Sequence, residues 1–144
     1  MIFSSKGLKL LMEWEGCKLN VYPDAGGKAT IGVGHLIQPH EKFNTITTSQ
    51  ALDLLDQDIR PFERVVNTSI TQPLTQDQFD ALVIFAFNIG VGGFKSSTVL
   101  KEILKGELED VPNAMRMWNK AGGKVVKGLI NRREKEIQLW NGEI

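Results

Sequence analysis

Glu15, Asp24 and Thr30 carry the side chains whose types and spacing suit bond-breaking chemistry. They share one stretch, W-E-G-C-K-L-N-V-Y-P-D-A-G-G-K-A-T-I-G-V-G-H, from Trp14 to His35. Two carboxylates in different environments can divide acid and base work, which is what cleavage of a glycosidic bond needs. Leu8, Leu11 and Met12 recur at helical spacing, and Glu15 is the next position on that stripe, whereas Glu13 falls on another face. The reading is a carboxyl directed toward the core at the end of a helix. There its anion is disfavoured by desolvation and by the negative end of the helix dipole, as a general acid needs. A glutamate ion-paired with a distant Arg or Lys fits the same residues. Gly16 supplies the stop.

Asp24 falls in Pro23-Asp24-Ala25-Gly26-Gly27, turn chemistry between the strand-like runs Lys18 to Tyr22 and Lys28 to Val33. In the second run, period two places Ile31, Val33 and His35 on one side and Thr30, Gly32 and Gly34 on the other. Glycine inside a strand weakens it, so a bare face points to something approaching closely, with Thr30 as its one functional group. A cleft wall fits, and so does a twisted hairpin edge without a ligand. The G-x-G lacks a third glycine at dinucleotide spacing, so phosphate binding has no support.

The remaining elements supply the frame. Leu36 to about Ile46 reads as loop, and Thr47, Thr48 or Ser49 can cap the helix that follows. Leu52, Leu55, Ile59, Phe62 and Val66 form one apolar stripe on a long helix, with a kink expected at Arg60–Pro61. Thr75 and Gln78 have the spacing of a capping box. The segment Phe79 to Ile89 is apolar nearly all round and predicts a buried central helix, with Asn88 satisfying backbone groups or facing a ligand. Gly90 to Gly93 ends that helix. Further helices are expected at about Thr98 to Leu104, Val111 to Trp118 and Leu129 to Trp140, with a break at Gly122-Gly123. The fold class is α+β, mostly helical. One domain is expected, made of a small hairpin lobe at about 1–48, a connecting helix at about 49–67 and a helical lobe at about 68–144.

Composition narrows the function classes. The 144 residues hold 17 basic and 17 acidic side chains, so the formal net charge is zero. That removes any whole-molecule argument for nucleic acid. Lys120, Lys124, Lys127, Arg132, Arg133 and Lys135 concentrate positive charge near the C-terminus, read here as a solvated helix face. Cys17 is the one cysteine, which rules out an intramolecular disulfide; a partly buried structural thiol is expected. His35 and His40 are the only histidines, and no Cys/His cluster has zinc spacing. No metal or other cofactor is expected. No apolar run approaches the roughly 18 residues of a membrane span.

Three blocks resemble a known family: Trp14 to His35, F-N-I-G-V-G-G-F-K-S-S-T at 87 to 98, and G-L-I-N-R-R-E-K-E at 128 to 136. The chain is similar to phage-type lysozymes, endolysins of glycoside hydrolase family 24. The resemblance implies a lysozyme-like two-lobed fold with Glu15 as general acid, Asp24 as the second carboxylate and Thr30 helping to position the attacking water. It implies that Leu36, Phe87 and Ser97 contact the glycan, and that His35 pairs structurally with Asp58. It implies hydrolysis of the β-1,4 bond between N-acetylmuramic acid and N-acetylglucosamine in peptidoglycan, leading to host cell lysis. Inversion is expected, which calls for carboxyl groups roughly 6.5–9.5 Å apart. The partner is the peptidoglycan glycan strand, with no nucleic acid and no stable membrane insertion, and the chain is expected to be a monomer. Cys17 departs from the family motif. The alternative is a non-catalytic peptidoglycan-binding module, against which the whole Glu15, Asp24 and Thr30 set argues. Met1-Ile2-Phe3 is too short for a signal segment. The expectation is a chain made in the bacterial cytoplasm that acts on the periplasmic cell wall after release or export, or one whose leader has been cut away.

Overall fold

The computed structural model describes every residue from Met1 to Ile144. The chain is mostly helical with a small antiparallel sheet, and it forms two compact units. Ser5–Arg60 makes a sheet unit; Met1–Ser4 and Pro61–Ile144 make a helical unit.

In the sheet unit, helix α1 (Ser5–Glu15) is followed by strands β1 (Lys18–Pro23), β2 (Ala29–Gly32) and β3 (His35–Leu36), then helix α2 (Thr48–Asp58). Gly16 stops α1 by taking a φ of 82°, a conformation that L side chains avoid. The sheet order is β1-β2-β3, all antiparallel. One strand was expected to run on to Val33, but the chain turns back after Gly32, and β3 pairs with β2. The pairs are Thr30 with Leu36 and Ile31 with His35. Gly32 and Gly34 both have positive φ, which permits that reversal. Ile31, Ile46, Ala51 and Leu54 form the local core, with Met12, Cys17, Leu19, Ile37 and Phe43 packed on it. Cys17 is therefore a half-buried core thiol, and burial pushes its pKa up. Thr47 caps α2, its hydroxyl accepting from Gln50 N while the Gln50 side-chain oxygen accepts from Thr47 N.

The expected long helix is two helices, α2 and α3 (Arg60–Ser69). Pro61 has no N–H to continue the ladder, and Ile59 closes α2 by donating to Leu55 and Gln57.

The helical unit is built on α4 (Gln76–Ile89). Its residues Phe79 to Ala86 are all buried, and its capping box at Thr75 and Gln78 is formed. Burying one such Leu, Ile or Phe side chain is worth about 1.5–3 kcal/mol, so this helix anchors the unit. Helices α5 (Val91–Ser96), α6 (Thr98–Leu104), α7 (Val111–Arg116) and α8 (Lys127–Trp140) complete it, with α8 packed along α4. Gly90 ends α4 as expected, but Val91–Ser96 coils again at once despite Gly92 and Gly93. At Gly93 a side chain would press on Trp118 at 3.3 Å, so the glycine admits that ring. Gly122-Gly123 does more than break the chain, since it turns a short hairpin of β4 (Lys120–Ala121) and β5 (Lys124–Val125).

The basic stretch near the C-terminus divides. Lys120, Lys124, Lys127 and Lys135 are exposed, but Arg133 is 1% exposed and Arg132 is half-buried. Both arginines turn to Glu136, which is itself fully buried, at 3.0 and 3.1 Å. The solvated helix face is therefore corrected at these two positions. Glu136 stands at i+3 and i+4 to them, where helical phase brings the three together.

Candidate active site

The Pro23–Gly27 turn holds Asp24 through its own backbone. Asp24 N donates to Lys28 O at 2.8 Å, and Gly27 N donates to Asp24 O at 2.9 Å. Asp24 Oδ1 accepts from Gly26 N and Lys28 N, both at 2.8 Å. That carboxylate oxygen is thus committed to the turn, as short Asx side chains commonly are. Oδ2 makes no hydrogen bond within the chain. The side chain is exposed and oriented by two donors.

Thr30 is attached to the same peptide. Its Oγ1 donates to Lys28 O at 2.8 Å, and the side chain is 3% exposed. Lys28 therefore brackets the pair: its N–H holds Asp24, and its C=O takes the Thr30 hydroxyl. A hydroxyl that spends its proton this way keeps lone pairs for accepting one from water. Sequence reasoning missed Lys28 because the working groups are backbone, which no residue type announces.

Facing residues in an antiparallel pair share one side of a sheet. Tyr22, Thr30 and Leu36 pair across β1, β2 and β3, so Leu36 joins Thr30 on one face. Leu36 is 40% exposed, an apolar surface beside the threonine. The bare glycine face does not serve a ligand at Gly32. A Cβ there would meet Ala51 Cβ at 3.5 Å and Ile46 Cδ1 at 3.6 Å, so this glycine admits helix α2.

Glu15 is the last residue of α1 and is exposed. Burial along its stripe stops at Met12, which is half-buried. The expected direction toward the core, and the desolvation that would follow from it, are corrected. Glu13 is exposed, as its helical phase requires.

His35 lies between two carboxylates. Nδ1 bonds Asp58 Oδ2 at 2.8 Å, and Nε2 bonds Glu41 at 2.9 Å. Burial works against the charged imidazole. The hydrogen bonds to Glu41 and Asp58, with their charges, outweigh it and raise the His35 pKa. Glu41 is lowered, first by the Gln38 backbone N–H and then by His35. Asp58 is raised, because its burial exceeds what His35 returns. The ring also meets Phe43 edge-on at 6.0 Å. Glu41 was missed; it lies in a loop without periodicity, and only folding brings it to His35.

In the helical unit, Phe87 is half-buried, its ring edge-on to Phe62 at 5.3 Å. Ser97 is 2% exposed and caps α6. Its hydroxyl donates to Phe94 O at 2.7 Å and accepts from Leu100 N at 3.2 Å. A direct glycan contact through that hydroxyl meets a group already committed on both sides. Asn88 is exposed and takes neither expected role first, because its side-chain oxygen accepts from Arg133.

A family model described as Phage lysozyme matches residues 12–136. An endolysin of Bacillus phage PZA is 39% identical over 98% of this chain and 55% of its own length. An endolysin of Acyrthosiphon pisum secondary endosymbiont phage 1 is 38% identical over 97% of this chain and 98% of its own. The chain thus spans about half the length of the Bacillus phage relatives and nearly all of the other. Among solved structures, an endolysin from Escherichia coli O157:H7 phage FAHEc1 superposes with a TM-score of 0.90. It is 34% identical, with 100% of this chain and 96% of that one covered. A muramidase domain from Asticaccaulis excentricus superposes at 0.86 with 34% identity, covering 96% of each chain. With the matched family spanning Met12 to Glu136 and the fold reproduced over nearly the whole chain, this protein belongs to the phage lysozyme family.

Proposed function

We propose that this protein is a muramidase that hydrolyses the β-1,4 bond between N-acetylmuramic acid and N-acetylglucosamine in peptidoglycan, with inversion. The observation that carries this is the Lys28 bracket, which orients the Asp24 carboxylate and the Thr30 hydroxyl from one peptide. Glu15, at the end of a helix, donates its proton to the leaving glycosidic oxygen. In the free chain water reaches this carboxyl. Bound glycan supplies the covering that the fold does not, and a carboxyl stripped of water holds its proton more readily. Asp24, through Oδ2, stabilises the oxocarbenium-like centre and takes a proton from the attacking water. Thr30 accepts a hydrogen bond from that water's other O–H, which stays on the product, and so fixes its approach. Leu36 and Phe87 present apolar surface to the sugars, while Ser97 contributes by holding the start of α6. His35 and Asp58, with Glu41, stay structural.

The proposed place of action is the bacterial cell wall, and the proposed state is a monomer. No helix of the chain is long and apolar enough to cross a membrane.

Digestion of purified peptidoglycan with mass analysis of the fragments tests the reaction. Reducing-end muramic acid with an inverted anomer is expected; anhydro ends or a retained anomer would overturn it. Glu15→Gln should lower turnover by roughly 10²–10⁴, the range of a lost general acid, with the thermal midpoint little changed. A variant that still clears cell-wall suspensions at near-normal rate would remove Glu15 from the role.

A further inference from the structure

The turn that follows β3 is tied to the sheet through one side chain. From Pro39 to Asn44, Glu41 is the one residue whose side chain is hydrogen-bonded. Its Oε1 accepts from Gln38 N at 2.8 Å, and its two oxygens lie 2.9 and 3.2 Å from His35 Nε2. Glu41 N donates to Gln38 O at 2.9 Å, and Gln38 Nε2 donates to Leu36 O at 3.0 Å. These bonds join Glu41 to Leu36, the exposed apolar residue paired with Thr30 across β2 and β3. On the other side of the ring, His35 Nδ1 meets Asp58 Oδ2 at 2.8 Å, at the last residue of α2. Every one of these groups belongs to the sheet unit.

An imidazolium has two N–H donors and serves both carboxylates; a neutral ring has one. Asp58 has no other hydrogen-bond donor within the chain, whereas Glu41 keeps the Gln38 N–H. The single N–H of a neutral ring therefore goes to Asp58, and Glu41 is left facing a lone pair. His40 is the further titratable group acting on Glu41, and Phe43 meets the ring edge-on without charge. With its pKa raised, His35 holds both bonds below its ordinary value near 6.5 and gives one up as pH rises through the raised value.

We propose that Glu41 is a positioning residue that holds the Leu36 surface beside Thr30 through protonated His35, and lets go when that proton leaves. This rests on the reading of Leu36 as a glycan contact. It assigns to a loop glutamate, which takes no part in the chemistry, an effect on substrate binding that varies with pH.

Kinetics on soluble peptidoglycan fragments from about pH 5 to about pH 9, beside an NMR titration of the His35 ring, test this. In the unaltered chain KM should rise about three- to tenfold, the worth of one hydrogen bond, with a midpoint matching the His35 titration. Glu41→Ala should show the raised KM already at about pH 6, with no further rise and with amide exchange at Gln38 about tenfold faster. Glu41→Gln keeps an acceptor but loses the charge. Its KM at that pH should match the unaltered chain, and its rise should come at lower pH, together with the His35 titration. Loss of folded molecules lowers apparent kcat and leaves KM, so reduced stability does not mimic this pattern. A Glu41→Ala protein with the KM of the unaltered chain would overturn the positioning. A rise that does not move with His35 in Glu41→Gln would overturn the release, and that comparison decides should Glu41→Ala not fold. If Leu36→Ala leaves KM unchanged, the glycan-contact reading falls and this proposal with it, but exchange at Gln38 still reports whether Glu41 holds the turn.

Discussion

The two units handle polar groups in opposite ways. In the sheet unit Asp24 and Glu15 are exposed, and Asp24 is oriented by backbone donors in a turn. In the helical unit Asp80, Glu136 and Arg133 are buried; Asp80 accepts from Ser4 and Gln76, and Glu136 is ion-paired with Arg132 and Arg133. An exposed carboxylate held by a peptide can take part in chemistry, because one oxygen stays available to a ligand. A buried carboxylate facing donors or cations inside the fold is out of a ligand's reach and serves architecture. The difference teaches that the acidic residues of this chain divide by how they are held.

Asp24 offers the sharpest way to break that comparison. Asp24→Asn keeps a carbonyl oxygen for the Gly26 and Lys28 N–H groups but loses the charge. It should lower turnover by about 10² or more while leaving the thermal midpoint within about 2 °C. Asp24→Ala loses both, so it should lose turnover similarly and also speed amide exchange at Gly26 and Lys28. Equal exchange in the two variants would show that the carboxylate does not hold the turn.

The opposite behaviour is expected of Glu136→Ala. Breaking a buried pair by removing one partner costs about 3–5 kcal/mol, because the arginines lose a buried counter-charge. A fall in thermal midpoint of about 10 °C is expected, with turnover per folded molecule nearly unchanged, measured by calorimetry and by turbidity at a temperature where the variant is folded. A midpoint that barely moves would mean that the buried cluster is solvated.

The smallest effect belongs to the His35 strut, which lies in the sheet unit but resembles the buried clusters. Its folded pKa is above the ordinary value near 6.5, so its stabilisation is complete below about pH 6.5 and is lost as pH rises through the raised value. Glu41, held low, contributes above the ordinary carboxylate range and loses its part as acid takes the pH through its lowered value. Asp58, raised by burial, works against the set where it is ionised. The midpoint difference between the unaltered chain and His35→Gln should therefore be widest near about pH 5–6 and narrow as pH rises past neutrality. A difference that grows toward alkaline pH would contradict the charged strut.

Much of this was legible where a pattern is local. Capping boxes put a hydroxyl and an amide three residues apart, and Thr75 with Gln78 formed as their spacing required. The Pro23–Gly27 turn and the buried α4 follow from residue type and period alone. The exposure of Glu15 was not legible. Helical phase says which stripe a residue shares, but not where the covering of that stripe ends. Gly32 was misread for a similar reason: a missing side chain shows that something comes close, and only the fold says that it is Ala51.

By itself, the sequence determined most of the helices and the Thr75 capping box, the hairpin turn that carries Asp24, the lack of an intramolecular disulfide and the resemblance to a lysozyme. These depend on neighbours a few residues apart, and rotamer, hydrogen-bond and periodicity rules act at that range. Tertiary structure alone decided that Lys28 serves both Asp24 and Thr30, that Glu41 joins His35 and Asp58, and that Asp80 receives Ser4. Those arrangements use backbone groups or partners distant along the chain. For the buried groups among them, the energy that selects the arrangement, the cost of leaving a polar group unsatisfied, arises only once the chain has closed around it.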